Sequence, residues 1–352
     1  MTAPASGHAD AAPMRVLVVG TGSIGERHVR CFLATGRVTA AIVEPAAAVR
    51  DSVAGRYPVA AAFETLTAGL AWQPDATVIC TPAHLHIPMA RLAVAAGSHV
   101  LVEKPLSTSR AGTAELATES AAAGRLVGLA YVYRSHPAVA AARLAILSGR
   151  FGPPVELVAV AGQHFPLHRP AYRDTYYGQR TTGGGAIQDA LTHVINAAEW
   201  LVGPVTRLVA DCAHAVLAGV DVEDTVHVLA RHAGSGGDVL ASYALNQHQP
   251  ANENSITILC RDGAVRIELH SGRCRWTAEP SVAPGGEWHD EPLPPLERDD
   301  LFVRQAAAFL DAASGKADLL CPLADGVRTL DTMLAVLASA DRQGGWERPG
   351  EC

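Results

Sequence analysis

The chain has 352 residues, long for one domain and ample for two. Hydrophobic residues make up 49% and charged residues 18%, which excludes a globally disordered polypeptide. A net charge of −7 without a basic block, and no run of about 18 uncharged apolar residues, argue against nucleic acid, membrane surfaces and bilayer spans.

Residues 1–13 carry neither a basic start nor an apolar stretch and are expected to be a disordered tail. From Met14 onward, short apolar runs alternate with helical stretches. Strands are expected at 16–19, 38–43, 76–80, 99–102 and 126–131, with helices at 23–34, 46–56, 87–96 and 107–123. This alternation specifies βαβ units, so 14–133 is expected to be an α/β Rossmann domain with a doubly wound parallel sheet. Past Tyr133 the pattern changes. A helix at 138–148 ends in Gly152-Pro153-Pro154, and strands follow at 155–162, 206–212, 225–231, 239–245, 255–260 and 264–268. Tight turns such as Arg261-Asp262-Gly263 make this second sheet mostly antiparallel. A helix at 192–202 interrupts it, 280–295 is a Pro- and Gly-rich surface loop, and helices at 301–313 and 323–340 close the chain. Residues 134–352 thus form an α+β domain with a large open sheet, for substrate binding and oligomerisation, whose last helix packs back on the first domain. The seven cysteines are odd in number and scattered without a C-x-x-C pair, which speaks against a disulfide framework or structural zinc and for the reducing cytoplasm.

Gly20-Thr21-Gly22-Ser23-Ile24-Gly25 reads G-x-G-x-x-G between a strand and a helix, the context of a phosphate-cradling turn. Glu44 follows Gly25 by 19 residues, at the end of the second strand. A carboxylate there suits the ribose hydroxyls and repels a 2′-phosphate, and Pro45 and Ala46 offer no cation, so NAD is expected over NADP. The alternative for Glu44 is a cap on the next helix. Thr81, Pro82, His84 and His86 follow the third expected strand, at the sheet edge where such folds bind ligands. His84 and His86 look like a metal pair, but no third ligand cluster follows and no metal is expected. Glu103-Lys104-Pro105 ends the next strand. Lys104 can donate to substrate oxygen and cofactor together, or simply pair with Glu103. Asp189 and His193 are i and i+4 and share a face if helical; a carboxylate orienting an imidazole makes a general base. A helix-entry Asp with a core histidine is the plain alternative. His164, Tyr172 and Tyr176, with His168 and Tyr177, form a polar-aromatic segment suited to a carbohydrate, and Arg134 and Asn246 could face the same site.

Taken in order, Gly20–Gly25 extended to His28, Cys80-Thr81-Pro82-Ala83-His84-Leu85-His86, Glu103-Lys104-Pro105, and Gly183-Gly184-Gly185-Ala186-Ile187-Gln188-Asp189 with His193 resemble the Gfo/Idh/MocA oxidoreductases. The resemblance covers most of the chain; Ala83 and Val132 depart from residues common in the family. It implies an NAD-dependent dehydrogenase acting on a sugar, sugar derivative or cyclitol. Lys104, Asp189 and His193 would be catalytic, and a homodimer or homotetramer would form through the second sheet. A redox-neutral glycosidase or lyase using transient oxidation, and a non-catalytic NAD-binding sugar sensor, are the alternatives.

Overall fold

The computed structural model describes residues 12–278 and 286–351. Most of the expected tail therefore lies outside the described residues, as does part of the expected 280–295 loop. The first half builds a parallel sheet from β1 (Met14–Val19), β2 (Val38–Val43), β3 (Ala61–Phe63), β4 (Ala76–Ile79), β5 (His99–Val102) and β6 (Val127–Leu129), in the order β3-β2-β1-β4-β5-β6. Val16, Leu17 and Val18 are fully buried, as a strand covered on both faces requires. The crossovers are α1 (Ser23–Ala34), α2 (Ala47–Arg56), α3 (Leu66–Ala71), α4 (His86–Ala95) and α5 (Thr113–Ala123). Strand order reverses between β1 and β4, which opens a crevice at the carboxyl edge of the sheet.

The second half has eight strands: β7 (Pro154–His164), β8 (Val205–Ala213), β9 (Thr225–Gly234), β10 (Gly237–Asn246), β11 (His248–Cys260), β12 (Gly263–Glu268), β13 (Arg273–Thr277) and β14 (His289–Asp290). They run β14-β13-β12-β11-β7-β10-β9-β8, antiparallel except where β10 meets β7. The helices α6 (Pro137–Leu147) and α8 (Thr192–Val202) pack on one face of this sheet, with the one-turn α7 (Phe165–His168) between them in sequence. Of the closing helices, α9 (Asp300–Ala313) packs on α1 through Phe309 and Phe32, and α10 (Leu323–Asp341) sends Leu330 to the first core and Met333 and Val336 to the second. No helix among the described residues is long and apolar enough to cross a membrane.

Some elements differ from expectation for local reasons. The helix expected from 107 starts at Thr113, because Ser107 and Ser109 bond the backbone N–H two residues on and turn the chain instead of capping it. Strands β3, β13 and β14 were not anticipated: three or fewer residues, or alternating arginines, give no apolar period. A wide, π-type turn at 186–191 precedes α8, ahead of the helix expected from 192.

Two buried histidines are held neutral. His232 is fully buried, with Nδ1 2.7 Å from Gly203 O and Nε2 2.6 Å from the Tyr243 hydroxyl. His136 starts α6 by accepting the Ala138 N–H on Nδ1. Burial pushes each down to about 4, helped at His136 by Arg304. An unfolded histidine binds its proton near pH 6.5, so the unfolded chain holds more protons between about pH 4 and 6.5. Their contribution to stability is complete above that range and is lost as pH falls through it, with a slope of up to about 1.4 kcal/mol per pH unit for each group. The urea midpoint is expected to fall between about pH 7 and about pH 5; an unchanged midpoint would contradict neutral burial of these rings.

Candidate active site

The glycine turn forms because β1 must reverse into α1 within a few residues. Gly20 takes φ +81°, open to glycine, and Gly25 packs so tightly that a Cβ there would lie 1.8 Å from Gly20 O. A Cβ on Gly22 would meet nothing within 4 Å, and no side chain caps the first turn of α1. Room, free N–H donors and a helix N-terminus are what a pyrophosphate needs. Glu44 stands at the mouth of this turn. Its Oε2 accepts from Thr21 N at 2.9 Å and Oγ1 at 3.3 Å, and its Oε1 accepts from Ala46 N at 3.1 Å. It therefore both closes the turn and anchors the start of α2.

Along the same sheet edge, β5 delivers Glu103 and Lys104, joined to Pro105 by a cis peptide. Glu103 is buried; its Oε1 lies 2.7 Å from His28 Nε2 and its Oε2 accepts the Lys104 N–H. Burial alone would raise this carboxyl, but His28 and Lys104 outweigh it and hold it below the usual range. Lys104 Nζ reaches across to the second half. It donates to Asp189 O at 2.9 Å and to Asp189 Oδ1 at 2.8 Å. Oδ1 also accepts the Tyr176 hydroxyl at 2.7 Å. Asp189 is likewise held ionised: Lys104 and Tyr176 overcome the upward push of burial.

His193 sits beside this pair in the first turn of α8. Its ring lies 5.0 Å from that of Tyr133 and 6.0 Å from that of Tyr131, and Nδ1 is buried without a partner. Burial and the Lys104 charge push it down to about 3, so the ring is neutral at neutral pH. The i, i+4 spacing suggests that Asp189 orients His193, which needs a hydrogen bond between them. Among the described residues there is none: the wide turn at 186–191 breaks the i, i+4 geometry, and Oδ1 is spent on Lys104 and Tyr176. Tyr133 and Asn254, whose Nδ2 donates to the Tyr133 hydroxyl, were not singled out from sequence. Tyr133's place just past the last strand of a ligand-binding sheet edge was the available signal.

Other candidates part company. Thr81 is half-buried and His84 and Pro82 are exposed in the turn after β4, open to a ligand. His86 is not: its nitrogens face Pro105 O at 2.9 Å and Thr81 O at 2.7 Å, so the ring ties two backbone turns together and has nothing left for a cofactor. Arg134 is buried on Asp325, Asn196 and Leu320 O, bracing α8 and α10 away from any substrate. Tyr172 is buried against Phe165 and Tyr177, its hydroxyl on Ala218 O. Its ring belongs to a small core because the segment after β7 folds back on itself. His164 is exposed at the end of β7, and Asn246 is half-buried, bonded to Gln249 and His248 N. A separate surface cavity of about 760 Å³, lined by Arg143, Trp200 and Arg261, lies at the far ends of α6 and α8 and holds none of these groups.

Residues 14–131 match the oxidoreductase family with an NAD-binding Rossmann fold, and 139–266 match the GFO/IDH/MocA C-terminal domain. The levoglucosan dehydrogenase of Pseudarthrobacter phenanthrenivorans is 29% identical over 291 residues, 72% of this chain and 73% of that protein. An inositol 2-dehydrogenase of Acidothermus cellulolyticus is 32% identical over 229 residues, 62% of this chain and 63% of that one. The solved structure of levoglucosan dehydrogenase with NADH and levoglucosan shares the fold, with a TM-score of 0.85 at 21% identity, covering 96% of this chain and 100% of that one.

The Gly25 contact yields a direct prediction. Gly25→Ala forces the turn open and should weaken NADH binding at least about tenfold in a fluorescence titration, about 1.4 kcal/mol. Undiminished affinity would contradict the assignment of this turn to the dinucleotide.

Proposed function

Since the chain belongs to the Gfo/Idh/MocA oxidoreductase family, we propose that it oxidises a secondary hydroxyl of a sugar, sugar derivative or cyclitol to a ketone, or reduces the ketone, with NAD. The observation that carries this is the Lys104–Asp189 pair at the carboxyl edge of the Rossmann sheet, with the neutral His193 beside it. The names of relatives acting on levoglucosan and inositol support the substrate class.

NAD, when bound, supplies the hydride acceptor. Gly20, Thr21, Gly22, Ser23, Ile24 and Gly25 would hold its pyrophosphate and Glu44 its ribose, with Thr81, Pro82, His84, Glu103 and Lys104 along the edge toward the reacting end. Lys104 donates to the substrate oxygen and stabilises its developing negative charge. His193 takes the hydroxyl proton. A ring pushed to about 3 is a weak base, but the ammonium that depresses it also acidifies the hydroxyl it must deprotonate. Asp189 holds Lys104 in place, and the Tyr131 and Tyr133 rings hold His193. His164 and Asn246 are offered to the substrate's other hydroxyls. The carboxylate of Glu44, followed by Pro45 and Ala46, favours NAD over NADP, and the nearby Arg50 donates to Glu44 O and Pro45 O.

The second sheet presents Val158, Leu229, Leu240 and Leu259 on the face away from its helices, with Leu229 51% and Leu240 42% exposed. Glu156, Arg231, Ser242 and Thr257 share this face, and the exposed leucines among them support a homodimer or homotetramer through this sheet. Light scattering should give a multiple of 36.7 kDa; a monomer unchanged on concentration would reject the oligomer.

The test of function is NADH formation, followed by absorbance, across a panel of hexoses, anhydrosugars and cyclitols. NAD should be preferred to NADP by about tenfold or more in kcat/KM. His193→Ala should lower kcat on the order of 10²–10⁴-fold with NAD affinity unchanged. Substrate consumed without net NADH would favour the redox-neutral glycosidase or lyase. Tight NAD binding with no turnover would favour a sensor, and an alanine variant with near-normal kcat would remove His193 from the chemistry.

A further inference from the structure

Lys104 has three ammonium donors. Two are spent on Asp189, one on its main-chain oxygen and one on Oδ1. The direction of the third is therefore set by the Asp189 carboxylate, and that carboxylate is itself fixed from outside the pair. Tyr176 arrives on the segment between β7 and the 186–191 turn. Its neighbours on that segment anchor it: the Tyr172 hydroxyl donates to Ala218 O at 2.7 Å, the Tyr177 hydroxyl to Gln247 Oε1 at 2.6 Å, and Thr182 Oγ1 to Tyr176 O at 2.7 Å. Tyr172 and Tyr177 are buried, whereas Tyr176 is 43% exposed with its hydroxyl end turned inward on Asp189. An O–H donating to a carboxylate at 2.7 Å is a strong, charge-assisted bond. An exposed aromatic whose one polar atom is committed to a mostly buried carboxylate has little left for a substrate hydroxyl.

We infer that Tyr176 is a positioning residue for the oxidation: by pinning Oδ1 of Asp189 it aims the remaining N–H of Lys104 at the substrate oxygen. It acts through Asp189 and not on the substrate, and the inference rests on the dehydrogenase reading above. The other titratable groups acting on this cluster are Glu103 from the end of β5, the neutral His193 from α8 and Arg169 from the segment after α7. None of them bonds the Tyr176 hydroxyl, so its removal is not made good by a neighbour. Its loss also withdraws a donor that favours the ionised carboxylate, so Asp189 should take up a proton at higher pH.

Two variants separate positioning from loop packing. Tyr176→Phe removes the bond to Asp189, and Tyr172→Phe removes a bond that anchors the same segment elsewhere. With Tyr176→Phe, kcat should fall roughly tenfold, KM for NAD should hold, and the acid limb of the kcat profile should move to higher pH. Tyr172→Phe should leave the pH profile in place. Lys104 and Lys316 are the two lysines of the chain, so protein labelled with ζ-15N-lysine reports Lys104 directly, with the exposed Lys316 as internal reference. In the protein without substrate, the Lys104 signal should shift in Tyr176→Phe and stay put in Tyr172→Phe, while Lys316 stays put in both. A Tyr176→Phe enzyme with native kcat and an unmoved Lys104 signal would overturn the inference. So would Tyr172→Phe reproducing the shift and the pH change. If the unsubstituted protein oxidises no polyol, the dehydrogenase reading falls, and the lysine signal alone decides whether Tyr176 positions Lys104.

Discussion

One ion pair joins the two halves of this protein where the chemistry is expected. Lys104 comes from the carboxyl edge of the parallel sheet and Asp189 from the turn that leads into α8, and their side chains are only 15% and 14% exposed. Taking both charges out of water costs several kcal/mol, so such a pair is weak ground for stability by itself. Here each charge has further partners. The ammonium also donates to Asp189 O, while Tyr176 and the ammonium share Oδ1. Breaking the pair would leave a buried charge alone, so each half fixes the position of the other.

The neutrality of His193 follows from the same constraint. Burial and the Lys104 charge act in the same direction and outweigh the attraction of Asp189 and Glu103. The site thus sets a fixed cation beside an uncharged acceptor. That arrangement suits a hydroxyl that must lose its proton while its oxygen stays bound. In the proposed reaction a doubly protonated imidazole would block the first step, and a lysine without its carboxylate would lose its direction.

Much of this was legible in the sequence because it rests on local rules. Buried runs such as Val16–Val19 mark parallel strands, and the glycine spacing after them marks a phosphate turn whose Gly25 has no room for a Cβ. Lys104, Asp189 and His193 are brought together as the motif order implied. What failed depended on tertiary detail. Orientation of His193 by Asp189 required an α-helix where the chain makes a π-type turn. Arg134, His86 and Tyr172 look like ligand residues by type, yet each has its polar atoms consumed by protein partners no periodicity reveals. Tyr133 went unremarked because a tyrosine just past a strand has no spacing signature, although its ring packs on His193.

The central claim is that Lys104 and Asp189 act as one unit. The most direct measurement is a double-mutant cycle in kcat/KM for the best polyol, using Lys104→Met, Asp189→Asn and the two together. If they act as a unit, either single change removes most of the activity and the double is scarcely worse, with a coupling energy above about 1 kcal/mol. Penalties that simply add would contradict the account.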